Sequence, residues 1–228
     1  MIREFILNEA LAMMKLNHPA IPKIYDIVED ESFTYVIREY IQGETLDVIL
    51  KNYGAQPVDR VLDWAKQLCD VLGYLHGLNP PHIYRDMKPA NVLLQADGRV
   101  RLIDFETMRL YDEKKDYDTT VLGTKGYAAP EQYGGAGQTD ARADIFGLGM
   151  TMHYLLTGVN PIDPPYITQP IRKINPALPA QLEEIIQKCI EPDREKRYQT
   201  VDSLLRALNG EPDSTKRKGL FSNLFGRH

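Results

Sequence analysis

The sequence predicts an α+β domain in which helices outweigh strands. Three observations carry this. Short β-branched and aliphatic runs at residues 24–28, 33–40, 92–94 and 100–103 read as strands. Two long amphipathic or apolar stripes, at residues 57–78 and 141–157, keep a helical period, and shorter ones at 180–190 and 201–208 close the fold. The chain has 228 residues, 43% hydrophobic and 26% charged, enough for one packed domain or a little more.

The formal charge of −5 argues against a nucleic-acid surface as the main partner. The two cysteines, Cys69 and Cys189, fall inside helical patterns. They read as buried free thiols in a reducing compartment. No apolar run reaches the length of a membrane span and no signal-peptide pattern precedes the domain, so a cytoplasmic location is expected.

Residues 2–16 read as a helix with Phe5, Ile6, Leu11, Met13 and Met14 at apolar positions, stopped by Asn17-His18-Pro19. An acidic turn separates the strand runs 24–28 and 33–40. Pro57 suits the first turn of the helix that follows. Next comes the stretch 82–106, which holds the chemistry. Tyr84-Arg85-Asp86, Lys88, Pro89 and Asn91 lead into two runs separated by the turn signal Asp97-Gly98, and Asp104-Phe105 ends the second run. A hairpin brings its flanks together, so Asp86, Asn91 and Asp104 should converge at one end. A carboxylate with an amide oxygen suits Mg²⁺ carrying phosphates. A second carboxylate can accept a hydroxyl proton, and Lys88 can neutralise a phosphate. That is equipment for phosphoryl transfer.

The same residues resemble the catalytic and metal loops of protein kinases, patterned H-R-D-x-K-P-x-N and D-F-G. Gly123-Thr124-Lys125-Gly126-Tyr127 with Ala129-Pro130-Glu131 resembles a third kinase segment, G-T-x-x-Y-x-A-P-E. Three motifs in the right order and spacing are a strong signal. The resemblance covers about residues 1–208 and is nearest to the eukaryotic-like Ser/Thr kinases of bacteria. It implies a protein-kinase-like fold. Residues 1–42 would be a partial small lobe, 43–209 a mostly helical large lobe, and 210–228 a flexible tail or a tether to a membrane span or second module.

The resemblance also implies an activity: transfer of the ATP γ-phosphate to Ser or Thr hydroxyls of proteins, with Mg²⁺ as cofactor. Asp86, Lys88 and Thr124 would then be catalytic, and Asn91 and Asp104 would hold the metal. Glu9 on the first helix would pair with a lysine on the third small-lobe strand. Glu39 and Ile41 would offer hinge backbone groups to adenine, and Leu93 would join the ATP-binding set. Thr119 and Thr120 are the phosphorylation candidates of the activation segment, with Arg85 to receive the phosphate. Asp144 would hold the catalytic-loop backbone, and Glu131 would pair with Arg197. His76 lies before the catalytic loop and reads as structural or exposed, not catalytic. The glycines near residues 134–137 read as a surface loop.

The sequence departs from the family in several places. No G-x-G-x-x-G and no V-A-I-K strand occurs in these 228 residues. Glu106 replaces the D-F-G glycine, and Tyr84 replaces the histidine of H-R-D. Arg38 stands at the gatekeeper position, which is usually apolar. Residues 158–179 hold six prolines and little periodicity, so the G helix is expected to be short or missing. Two explanations compete: a fragment of an active kinase, or a degenerate kinase used as a binding or scaffold module. Retention of Asp86, Lys88, Asn91 and Asp104 favours the first. A small-molecule phosphotransferase is a third class, opposed by the activation segment and A-P-E. Residues 1–42 are expected to be mobile, or to self-associate through the edge at 33–40.

Overall fold

The computed structural model describes residues 10–30, 33–111, 123–133, 138–163 and 168–211. Glu9, Thr119, Thr120, the glycines at 134–137 and the basic and aromatic tail lie outside the described residues. Residues 10–13 form a helical turn with Ala10 and Met13 buried. Two strands follow, β1 (Ile24–Glu29) and β2 (Thr34–Arg38), paired antiparallel. β2 is shorter than the pattern over 33–40, and Tyr40 stands 88% exposed beyond it.

The chain then enters β3 (Glu44–Thr45) and α1 (Leu46–Tyr53). Thr45 caps this helix by accepting the Val48 N–H at 3.3 Å. α2 (Val58–His76) starts after Pro57 and buries Val61, Leu68, Leu72 and Leu75, the stripe that its period predicts. The short β4 (His82–Ile83) pairs with β7 (Arg109–Leu110), while β5 (Val92–Leu94) and β6 (Val100–Leu102) form the hairpin around Gly98. β3 adds to that hairpin, giving the sheet order β3-β5-β6.

α3 (Ala141–Thr157) is buried almost all round and forms the central post. Asp140 accepts the Arg142 N–H at its start, and Gly158 ends it at φ 70°. α4 (Ile171–Ile174) is a single turn, in line with the proline-rich region around it. α5 (Ala180–Cys189) packs on α3, and α6 (Val201–Leu208) packs against α2. A reciprocal Thr200–Ser203 cap fixes the start of α6. The result is mostly helical with small antiparallel sheets, an α+β fold. Among the described residues no helix is long and apolar enough to cross a membrane.

Cys69 on α2 and Cys189 on α5 are free, and burial pushes the Cys69 thiol up to about 12. A thiol must ionise to react. Iodoacetamide near neutral pH is therefore expected to alkylate neither cysteine in the folded protein and both in urea. Mass spectrometry of the intact chain checks this. Rapid labelling of the folded chain would mean that the α2–α3–α5 core opens readily.

Candidate active site

The loop after β4 is held in place by one face of α3. Asp144, Gly147 and Thr151 are spaced i, i+3 and i+7, so they line up along the helix. Asp144 Oδ1 accepts the Arg85 N–H at 2.6 Å, and Oδ2 accepts the Tyr84 N–H at 2.9 Å. His76 Nε2, at the end of α2, lies 2.7 Å from the same Oδ2. Gly147 lets the loop approach: a Cβ there would sit 3.0 Å from the Met87 backbone oxygen. The Thr151 hydroxyl donates to that Met87 carbonyl at 3.4 Å. Asp144, contacted by His76, thus holds the backbone of the loop after β4.

Arg85 has φ 72°, a backbone region that side-chain-bearing residues rarely adopt. Asp144 holds its N–H, and Gln132 Nε2 donates to its carbonyl at 2.8 Å. Gln132 is itself oriented by the Ala129 N–H, which donates to its Oε1 at 2.9 Å. The segment after Gly123 is therefore tied directly to the loop that carries Arg85 and Asp86. Gly123 has φ 136°, and a Cβ there would come within 2.9 Å of Gln132 Nε2, so glycine is required at this contact.

Between these two supports lies a network centred on Asp86, which is buried. Asp86 Oδ1 accepts the Thr124 hydroxyl at 2.7 Å. Asp86 Oδ2 accepts Lys88 Nζ at 2.6 Å and Asn91 Nδ2 at 2.8 Å. Lys88 Nζ also donates to Thr124 Oγ1 at 2.7 Å. The hydroxyl of Thr124 therefore bridges Asp86 and Lys88.

Asn91 Nδ2 also donates to the Asp86 carbonyl at 3.0 Å. Both amide hydrogens are thereby used on Asp86, which fixes the amide orientation and leaves Oδ1 as an acceptor facing elsewhere. Asn91 lines a cleft of about 710 Å³ with Asp104, Glu106, Ile103, Phe105 and Arg38, and Ala10, Met13, Ile24 and Val36 complete its lining with Pro22. That volume is in the range of small-molecule and cofactor sites. Asp104 Oδ1 accepts the Glu106 N–H at 3.1 Å, and the Ile103 N–H donates to the Asn91 carbonyl at 3.1 Å. An amide oxygen and a carboxylate on one wall are hard oxygen donors, which fit Mg²⁺.

Tyr84 fills the space below. Its ring meets Phe105 edge-on at 5.3 Å, and its backbone carbonyl accepts the Thr107 hydroxyl at 3.0 Å. Burial, then the charges of Asp104, Asp86 and Asp144, hold its phenol neutral, well above the usual range. An apolar site occupied by an aromatic ring is what replacing the H-R-D histidine by tyrosine requires.

The residues expected to contact adenine lie beside this cleft's lining set. Glu39, Ile41 and Leu93 are not in the wall of the 710 Å³ cleft. The Glu39 carboxylate accepts Arg101 Nη2 at 2.7 Å and the Lys23 N–H at 3.1 Å, and the Arg101 bond lowers its pKa. Its own N–H donates to the Lys23 carbonyl at 2.8 Å. Of its backbone groups only the carbonyl is left to face a ligand. Leu93 is half-buried on β5, opposite Arg101 and Thr45. Arg85 is buried beside Asp86, and Glu131 receives both ends of the Arg197 guanidinium. The roles of Gln132, Gly147, Thr151 and Arg101 were not foreseen from sequence. Only the i, i+3, i+7 spacing from Asp144 carried a usable signal.

Comparison with known proteins places this geometry. The protein kinase domain family matches residues 2–207. The serine/threonine-protein kinase PknB of Mycobacterium tuberculosis is 34% identical over 229 residues, which cover 90% of this chain and 36% of that protein. A probable serine/threonine-protein kinase of Clostridium perfringens is 30% identical over 213 residues, covering 88% of this chain and 31% of that protein. A probable serine/threonine-protein kinase of Streptomyces coelicolor is 32% identical over 229 residues, covering 90% and 33%. The chain spans about a third of the length of these relatives. With the family matched over residues 2–207, the chain belongs to the protein kinase domain family, among the eukaryotic-like Ser/Thr kinases of bacteria.

Proposed function

We propose that this domain transfers the γ-phosphoryl group of Mg·ATP to serine and threonine hydroxyls of protein substrates. One observation carries the proposal: Asp86 gathers Lys88, Asn91 and Thr124 into one hydrogen-bonded network beside a cleft that Asp104 and Asn91 share. Bound Mg·ATP supplies the electrophilic phosphorus and its metal counter-charge. Asn91 Oδ1 and the Asp104 carboxylate would hold the metal. Asp86 orients the incoming hydroxyl and takes its proton, and Lys88 neutralises charge on the transferred group. Thr124 keeps Lys88 and Asp86 in register. Most of the catalysis is positioning and electrostatics. A cytoplasmic setting belongs to the same proposal, supported by the reduced, buried Cys69 and Cys189.

The test is transfer of radiolabel from γ-labelled ATP to a generic protein such as casein, followed by phosphoamino-acid analysis. Label on serine or threonine that vanishes with EDTA is expected. No transfer from the intact protein, with Mg²⁺ present, would reject the activity.

Glu106 gives a second expectation. It lines the cleft two residues after Asp104 and adds a carboxylate where the family has glycine. Metal affinity follows the number of charged ligands. Glu106→Gly is expected to raise the Mg²⁺ concentration needed for half-maximal nucleotide binding by about threefold to tenfold. A titration of fluorescent ATP with Mg²⁺ measures it. Identical curves would show that Glu106 faces solvent only.

A further inference from the structure

We propose that Arg38 is a phosphate-binding residue of the nucleotide cleft, the side chain that grips the triphosphate from the β2 side. This rests on the phosphotransfer reading and assigns it a residue at a position that is usually apolar. The pleat of β2 places Arg38 in the cleft. Val36 and Arg38 alternate along the strand and both line the cleft, together with Ile24, the residue opposite Arg38 on β1. Tyr35 and Ile37 are exposed, as the other face of the strand should be.

The charges in the cleft explain what Arg38 is for. Two carboxylates, Asp104 and Glu106, face the same space, and Asn91 is neutral. Lys88 is engaged with Asp86 and Thr124 and is not part of this wall. The Arg38 guanidinium makes no hydrogen bond or ion pair with any described residue, so it is available to a ligand. A triphosphate brings several anionic oxygens into a cleft whose own charges are otherwise negative. A planar guanidinium presents paired donors that match phosphate oxygens. An arginine in this wall therefore serves the phosphates, not the base.

The proposal separates two ligands. Binding of Mg·ATP and of adenosine is measured by isothermal titration calorimetry on the wild-type chain and on Arg38→Met and Arg38→Lys. Arg38 is exposed, so both variants should melt with the wild type. Arg38→Met is expected to weaken Mg·ATP about tenfold or more while leaving adenosine within about twofold. Arg38→Lys should recover part of the loss, because it returns the charge without the fork. Unchanged Mg·ATP affinity in Arg38→Met overturns the assignment and leaves the kinase reading intact. An equal loss for adenosine and Mg·ATP also overturns it, because the residue would then act on the base. A wild-type chain that binds adenosine and Mg·ATP equally well rejects any phosphate grip. A wild-type chain that binds neither ligand removes the nucleotide reading and Arg38 with it.

Discussion

Asp86→Asn is expected to lower phosphotransfer on the order of a thousandfold, the range for removing a positioned general base. The network makes the reason specific. Asp86 Oδ2 receives two donors, Lys88 Nζ and Asn91 Nδ2, and Oδ1 receives the Thr124 hydroxyl. An asparagine has one acceptor oxygen. Whichever way it is turned, an NH₂ group meets a donor, and Lys88 loses its counter-charge. Asp86 is absent from the wall of the cleft and reaches it only through Asn91, so nucleotide affinity should fall far less than the rate. Loss of rate without loss of binding marks an interaction made in the transition state. Label transfer and fluorescent-nucleotide binding are measured on the same preparation. Equal rates in wild type and variant would remove Asp86 from the chemistry.

Much of this site was legible in the sequence because its parts lie close along the chain. Asp86, Lys88 and Asn91 sit within six residues, and the Asp97-Gly98 turn returns the chain to Asp104. A turn signal and a period of two are enough to place them. The two main helices were legible for the same reason: α3 runs over the residues its stripe predicts, and α2 ends two residues short of its pattern. What was not legible depends on pairs far apart in sequence. Glu39 and Arg101 lie 62 positions apart, and nothing in either local pattern says that the carboxylate is committed to the guanidinium. Gln132 reaches the Arg85 carbonyl across 47 positions, although Arg85 lies in a recognisable motif and Gln132 directly follows one. Gly147 looks like a weak point in a helix until Met87 is placed against it. Periodicity reports which face is buried. It does not report the partner that buries it, and the catalytic loop is held by partners.

Arg197→Met is expected to destabilise the domain by about 3–5 kcal/mol, the cost of leaving a buried charge without its partner. Arg197 is fully buried, and the Glu131 side chain is 3% exposed. All five guanidinium hydrogens have acceptors. Nε donates to the Glu191 carbonyl at 2.7 Å. Nη1 donates to Glu131 Oε1 at 2.6 Å and to the Arg142 carbonyl at 3.2 Å. Nη2 donates to Glu131 Oε2 at 2.8 Å and to the Pro192 carbonyl at 3.0 Å. The plane also lies over Phe146, 4.9 Å from its centroid. Methionine fills part of the volume but leaves Glu131 charged in the interior and removes the donor from the Glu191 and Pro192 carbonyls. Lysine should recover little, since its three donors radiate from one point and cannot match a planar set of acceptors. Removing the charge as well, in Arg197→Met with Glu131→Leu, should regain a large part of the loss, because no orphan charge remains. Urea unfolding of the three variants measures these differences. A single-variant loss below about 1 kcal/mol would put the pair in the class of weak surface bridges. The consequence reaches the site. Glu131 is followed by Gln132, which holds the strained Arg85 carbonyl, so release of Glu131 should loosen the loop that carries Asp86. Phosphotransfer in Arg197→Met should therefore fall even where the domain remains folded, and the double variant should restore stability more fully than rate.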